Sequence, residues 1–177
     1  FWEVTKFGKQ WSFHQSSTTE SKFYLGREHV VFWEEGAGAI VNLAEEGIAS
    51  IQGGEAWGKA GVVVSLMRSL PVTLYTGELF DNNCAVIWPH RATDITPLWT
   101  FCSSPDFNVL VRQLDKKVNL TNQTLLKVPF DLAYWQKVAA EKYPHGLPKP
   151  FSSDPTQWLF NGHPKSSDQP LQVAVAR

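Results

Sequence analysis

The residues best suited to chemistry are a tryptophan and three cations near the ends of strand-like segments. Trp57 and Lys59 stand directly before one such segment, Arg68 follows it, and Arg91 follows a later one. Cations in these positions suit contacts with DNA phosphates, and arginine can also pair with the edge of guanine in the major groove. A tryptophan beside them could stack on a base or wedge between two bases.

Two further cations, Lys9 and Arg27, lie in the N-terminal part and complete the set of candidate DNA contacts. The alternative is that Trp57 belongs to the core and that the cations form ordinary solvated surface. Composition by itself favours that alternative, because 16 Lys and Arg against 17 Asp and Glu give a net charge of −1. A tight stand-alone DNA binder usually carries a basic excess. The composition therefore argues against an independent, tight, non-specific DNA binder, but it is compatible with a module whose parent chain supplies the backbone contacts.

A search for catalytic motifs leaves no constellation that we expect to be catalytic. Gly53 to Lys59 has the spacing of a phosphate-binding loop, but Ala60 stands where that loop needs a hydroxyl for Mg²⁺. The five histidines and two cysteines do not have the spacing of zinc ligands. Cys84 and His90 leave a nucleophile–base pair open, with a buried thiol and a loop imidazole as the simpler interpretation. We expect neither a catalytic residue nor a metal site in this chain.

The composition indicates one domain over residues 1–177, with 43% apolar and 13% aromatic residues to form a core. No apolar run approaches the roughly 18–20 residues that span a bilayer, so we expect no membrane partner and a cytoplasmic location. The chain begins without an initiator Met or a signal-peptide pattern, and its last predicted helix runs to the chain end. We therefore expect a fragment of a larger protein.

The pattern of apolar residues predicts strands first and helices later. Strands are expected at 29–33, 61–65, 72–76 and 84–88, each bounded by turn-forming residues. Helices are expected from Pro105 to Leu114, after Ser104 as N-cap, from Asp131 to about Tyr143, and from about residue 167. This order predicts an α+β fold with a mixed or antiparallel sheet and helices mainly in the C-terminal half. Residues 15–21 and the proline-rich 142–161 are expected to be loops.

The predicted helix at 105–114 is expected to serve the fold rather than to read bases. Its apolar stripe, Phe107, Leu110, Val111 and Leu114, should pack on the sheet. Arg112 on this helix and Lys116 beyond it should then point outward. Three large aromatic residues are also expected in the core: Trp99, Phe101 and Trp135.

Several long segments of the chain resemble one protein family. They are WGKAG (57–61), LPVTLYTGELFDNN (70–83), LWTFCSSPDF (98–107), KVNLTNQTLLKVPF (117–130), WQKVAAEKYP (135–144) and DPTQWLF (154–160). In this order they resemble the target-recognition region of large bacterial restriction–modification DNA methylases of the N6-adenine type. The resemblance covers roughly residues 55–177 well and the first 54 residues loosely.

The resemblance implies a specificity module that lacks the catalytic part. Methylases of this family carry an Asn/Asp-Pro-Pro-Tyr/Phe motif, and this chain contains no Pro-Pro pair. It also lacks a convincing glycine-rich loop for S-adenosylmethionine, so that cofactor is expected in the parent enzyme and no cofactor in this chain. The implied role is DNA sequence recognition in restriction–modification or phage defence. The implied partners are double-stranded DNA and the catalytic methyltransferase domain, which flips and methylates the target adenine.

Two alternatives from other classes remain open at this level. One is an enzyme fragment, either a methylase piece that still binds the methyl donor or a nuclease with a dispersed site. The other is a protein-interaction module that docks the parent to a subunit of a defence complex. A large exposed apolar patch without flanking cations would favour the interaction module.

Overall fold

A computed structural model describes residues 10–149 of the chain. Helices and strands are combined as the sequence predicts, in an α+β fold whose helices lie mainly after the strands. The strands are β1 (Trp11–Gln15), β2 (His29–Phe32), β3 (Gly61–Ser65), β4 (Val72–Tyr75), β5 (Leu79–Phe80) and β6 (Cys84–Ile87); the helices are α1 (Ala39–Glu45), α2 (Ile95–Cys102), α3 (Pro105–Leu114), α4 (Asn122–Leu125) and α5 (Leu132–Lys142).

The described strands form two three-stranded sheets. Sheet A has the order β2-β1-β5 and is mixed, because β1 pairs antiparallel with β2 and parallel with β5. Sheet B has the order β4-β3-β6 and is antiparallel throughout. The prediction of a mixed or antiparallel sheet is therefore confirmed, since sheet A is mixed and sheet B is antiparallel.

Strand β3 lies in the middle of sheet B and is buried along its whole length. Its Val62 and Val64 belong to the main core beneath the helices, and Val63 points to the opposite face, beside Tyr75 and Cys84. Burial on both faces explains why this strand is a continuous apolar run instead of an alternating pattern.

Helices α2, α3 and α5 build the main core on one face of sheet B. Trp99, Phe101 and Trp135 are all buried there, as predicted. The ring of Phe101 lies 5.4 Å from that of Phe107 and 5.2 Å from that of Trp135, so it joins all three helices. Such aromatic pairs add to the stabilisation that burial alone provides.

Helix α3 begins as predicted, with Ser104 in an extended N-cap conformation and Pro105 in the first turn. Phe107 and Val111 are buried, whereas Leu114 is 49% exposed. Our assignment of Leu114 to the buried stripe is therefore wrong. The helix ends at this residue, so the chain leaves the core before the stripe is complete.

Helix α5 also begins as predicted, because a carboxylate oxygen of Asp131 accepts a hydrogen bond from the backbone N–H of Tyr134 at 3.1 Å. Of the loops predicted at 15–21 and from 142, residues 16–21 and 143–149 contain neither helix nor strand, whereas Gln15 ends β1 and Lys142 ends α5. The rest of the predicted loop 142–161 and the predicted helix near residue 167 lie outside the described residues. Among residues 10–149, none of the helices has the length and apolar character needed to cross a bilayer.

Five of the described elements have no counterpart in the sequence prediction: β1, β5, α1, α2 and α4. Helix α2 is rich in β-branched and aromatic residues, which disfavour a helix by local propensity. It forms because six consecutive residues, from Pro97 to Cys102, are buried between sheet B and α5. Tertiary packing therefore outweighs propensity in this segment.

Candidate nucleic-acid interface

Lys59 lies at the end of sheet B where β3 begins and β6 ends. Val62 pairs with Ile87 in the register, which brings the segment before β3 beside the segment after β6. The exposed ammonium group of Lys59 lies 4.5 Å from the ring centroid of Trp88. This cation–π contact holds the charge at the surface.

Arg91 follows at the same end of the sheet, just before α2. Its Nε donates to the Asp94 carboxylate at 2.8 Å, and the Arg91 side chain is 64% exposed. Gln136 of α5 donates to the same carboxylate at 3.3 Å. Arg91 is therefore oriented by its neighbours while its guanidinium remains accessible to a ligand.

Trp57 is only partly exposed, because its ring packs edge-on against that of Trp33 with centroids 5.3 Å apart. Its indole N–H is shielded from solvent, and no group within residues 10–149 accepts a hydrogen bond from it. Trp57 is therefore partly buried, which agrees in part with the alternative interpretation that it belongs to the core. It lies in the wall of a groove instead of standing free on the surface.

That groove has a volume of about 790 Å³ and lies between the two sheets. Sheet A contributes His14 and Phe80, and β6 with its following residue contributes Val86 and Trp88. The loop 50–57 closes it on a third side. We call this cavity the groove below.

Arg68 lies at the opposite end of sheet B, in the turn between β3 and β4. Its φ is +55°, a left-handed conformation that disfavours a residue with a side chain. The structure therefore does not place all of the predicted contacts together. Lys59 and Arg91 share one end of the sheet, and Arg68 is separated from them by a five-residue strand, about 15 Å at roughly 3.3 Å per residue.

Three further cations accompany Arg68, and we call the four residues the basic corner: Arg68, Arg112, Lys116 and Lys117. The Arg112 guanidinium donates hydrogen bonds to the backbone carbonyls of both Arg68 and Lys117. Nearby, the Asn108 side chain donates to the Ser69 carbonyl at 2.8 Å. Helix α3 and the segment after it are thereby fixed against the β3–β4 turn.

Sequence reasoning placed Arg112 and Lys116 at the surface but did not connect them with Arg68. The predicted outward position is confirmed for Lys116, which is exposed, while Arg112 is partly exposed and lies along the turn. The available signal was the density of cations, since three of the six residues from 112 to 117 are basic. Nothing in the sequence indicated that these residues pack against a turn some 44 positions earlier.

Arg27 occupies a different environment, because only 4% of the residue is exposed. Its Nη2 donates to the Leu74 carbonyl at 2.9 Å and lies 3.4 Å from a carboxylate oxygen of Glu78. Nε donates to the Gln15 side chain at 3.4 Å, which connects β1 to β4. Arg27 joins the two sheets, and its guanidinium is not presented to a DNA backbone. The other N-terminal candidate, Lys9, lies outside the described residues.

The surroundings of Cys84 and His90 indicate whether these residues could act as a nucleophile–base pair. Cys84 is buried and His90 is exposed. Burial, together with the nearby Asp81 carboxylate, raises the pKa of the Cys84 thiol, and burial raises the pKa of Cys102. The structure therefore supports the interpretation of Cys84 as an inert core thiol. Within residues 10–149, no group of three or more His, Cys, Asp or Glu side chains is arranged to hold a metal ion.

We accordingly expect iodoacetamide at pH 7.5 to leave Cys84 and Cys102 of the folded chain unmodified, because only the thiolate reacts and burial disfavours it. Intact-mass measurement over time would check this, with the chain unfolded in urea as the control. Both thiols should react fully in urea during the same interval. Modification of folded Cys84 at the rate of a free cysteine would contradict its inert assignment.

The two ends of sheet B that carry these cations are thus the surfaces best suited to bind a ligand. No protein-family model matches this chain, and a search of curated proteins finds no significant match. The assignment therefore depends on the chemistry of the described residues and on the resemblance of the sequence.

Proposed function

We propose that this chain recognises double-stranded DNA as the target-recognition module of an N6-adenine methyltransferase in restriction–modification or phage defence. The basic corner is the observation that supports the proposal, since it gathers four cations from two distant segments. In the parent enzyme a separate catalytic domain binds S-adenosylmethionine and methylates the adenine. This chain supplies the choice of sequence.

The four cations of the basic corner favour an anionic ligand. One carboxylate, that of Asp115, lies beside them. It accepts hydrogen bonds from the backbone N–H of Lys117 at 2.9 Å and from the hydroxyl of Thr124 at 3.3 Å. A guanidinium has five donor hydrogens, so Arg112 can hold its two carbonyl partners and still donate to a phosphate. Phosphate contacts of this kind provide most of the affinity of DNA-binding proteins.

The conformation of Arg68 also supports a functional role. Glycine adopts the left-handed region readily, whereas a residue with a Cβ is disfavoured there by about 1–2 kcal/mol. Strained residues of this type concentrate at binding sites. An arginine at a position suited to glycine therefore indicates that its side chain is used.

The second cationic end provides a separate contact for the same ligand. Lys59 and Arg91 lie about one strand length from the basic corner, a distance comparable to the roughly 12 Å width of a major groove. Phosphate contacts at both ends would set the register of the duplex, while an arginine reads guanine. Both ends together form the proposed DNA surface, with Trp57 as a lining residue of the adjoining groove.

In-vitro selection from a randomised duplex pool at low salt tests the proposal. We expect the chain to enrich one short motif and its affinity for that motif to fall steeply with salt, with a slope of about −0.9 in log–log terms for each phosphate contact. The test compares the wild-type chain with the double variant Arg68→Ala/Arg91→Ala. Absence of any enriched motif, or unchanged affinity and target choice in the double variant, would overturn the proposal.

A further inference from the structure

The groove has one wall that the proposed DNA surface does not use, namely strand β6, whose residues Cys84 and Val86 line it. Within residues 10–149, β6 pairs only with β3, so its other edge is free. An unpaired strand edge presents a row of N–H and C=O groups that can accept a further strand.

The hydrogen-bond phase of sheet B shows which backbone groups of β6 point away from β3. The N–H of Leu66 donates to the carbonyl of Asn83 at 2.8 Å. Antiparallel pairs alternate between bonded and non-bonded residues, so Ala85 and Ile87 face β3. The N–H and C=O of Val86 therefore point away from the sheet, and no described residue forms a hydrogen bond with them.

The side chains of the groove suit an extended chain lying along this edge. Aromatic rings from four different segments line it and provide apolar subsites: Trp33, Trp57, Phe80 and Trp88. Strand addition of this kind obtains affinity from backbone hydrogen bonds and specificity from pockets for alternate side chains. The edge and the rings together therefore match an extended peptide better than a compact ligand.

The charges of the groove indicate the chemistry of that peptide. Its lining includes the carboxylates of Glu55 and Asp81. Burial lowers the pKa of His14 more than Asp81 raises it, so this lining imidazole is neutral at neutral pH. The chain from residue 28 to residue 58 contains six glutamates, Glu55 among them, and no Lys or Arg. Among the described residues, Lys59 stacks on the groove residue Trp88.

We propose that the groove binds an extended, cationic peptide segment of a protein partner, which adds as a strand to the free edge of β6. Alternate apolar side chains of the segment enter the aromatic subsites, and its Lys or Arg side chains face Glu55 and Asp81. A DNA strand fits this site poorly, because its phosphates would meet the same carboxylates. The site is separate from the basic corner and does not depend on the proposed function.

The substitution Val86→Pro isolates this interaction. Proline is tolerated on an edge strand where its missing N–H faces outward, so β6 should keep its pairing with β3. The proline removes the outward donor and obstructs an added strand. Val30→Pro on β2 is the matched control, because the bond from Trp33 N–H to the Gln10 carbonyl gives Val30 the same outward phase on an edge of sheet A.

The experiment selects phage-displayed random nonapeptides on the full chain and measures the enriched peptide, made synthetically, by fluorescence anisotropy. We expect enriched sequences that alternate apolar residues with Lys or Arg. Val86→Pro should weaken binding at least tenfold, and Val30→Pro less than twofold. Thermal unfolding of both variants verifies folding, and Cys84→Ser/Trp88→Leu provides a second test of the same wall if Val86→Pro does not fold.

Four results would overturn the inference: no enriched peptide, enrichment of acidic peptides, equal binding by Val86→Pro, or self-association of the chain that Val86→Pro abolishes. The last would make a second copy the occupant of the edge. Affinity for selected DNA should change less than twofold in Val86→Pro. Absence of DNA binding by the wild-type chain, with its peptide binding present and sensitive to Val86→Pro, would instead overturn the proposed function alone.

Discussion

Replacing Arg27 with methionine is expected to lower the free energy of unfolding by about 3–5 kcal/mol, because it leaves the buried carboxylate of Glu78 without its cation. The side chains of Arg27 and Glu78 are 3% and 6% exposed. Burial lowers the pKa of Arg27 and Glu78 opposes that shift, but arginine remains charged in proteins. The change therefore removes a full charge from a site that solvent does not reach.

The surroundings of this pair explain why the effect should be large. Besides Glu78, the guanidinium bonds the Leu74 carbonyl of β4 and the Gln15 side chain of β1. The carboxylate of Glu78 in turn accepts a hydrogen bond from the backbone N–H of Thr76 at 3.1 Å. Loss of Arg27 thus removes one connection between the sheets and leaves several polar groups unsatisfied.

Urea unfolding of the wild type, Arg27→Met, Glu78→Met and the double variant measures this effect. The double variant should recover part of the loss, because replacing a whole buried pair by apolar residues is far less damaging than removing one partner. Lys22→Met is the matched control: it removes an exposed lysine from its pair with the exposed Glu20 and should change stability by about 1 kcal/mol or less. Similar losses in Arg27→Met and Lys22→Met would contradict the buried role.

Replacing Arg68 with glycine is expected to separate DNA binding from folding. Glycine relieves the left-handed strain, so the free energy of unfolding should stay constant or rise by up to about 1 kcal/mol. The backbone carbonyl that holds Arg112 is retained. Affinity for the selected duplex should fall by about 5- to 150-fold, the range for a lost contact of about 1–3 kcal/mol.

A triple variant extends this test to three of the four cations of the basic corner. In the variant that combines Arg68→Gly, Lys116→Gln and Lys117→Gln, the slope of log affinity against log salt concentration should become shallower by about 2.7. This is about 0.9 for each of three lost phosphate contacts. The control removes three exposed lysines elsewhere, with Lys137→Gln, Lys142→Gln and Lys149→Gln. Titration of labelled duplex at several salt concentrations gives both slopes. Equal effects of the two triple variants would show that total charge matters, and not the basic corner.

Local sequence determines much of this fold. Ser104 and Pro105 mark the start of α3, Asp131 caps α5, and the run of valines in β3 predicts a buried strand. Each signal acts within a few residues, through backbone conformation, capping or the period of apolar side chains. The α+β class and the large aromatic residues of the core follow from the same signals.

Other features are decided by contacts between distant residues. Helix α2 forms against its local propensity because packing buries it. Arg27 looks like a surface cation in the sequence, yet Glu78, 51 positions later, brings it into the interior. The basic corner and the groove also combine segments far apart in the chain, so their existence depended on how the strands pair. The sequence by itself thus indicated four of the six described strands, helices α3 and α5, and the residue types available for chemistry. Tertiary structure decided which charges meet, because a side chain's partner across 40 or 50 residues is set by sheet register and packing and not by local spacing.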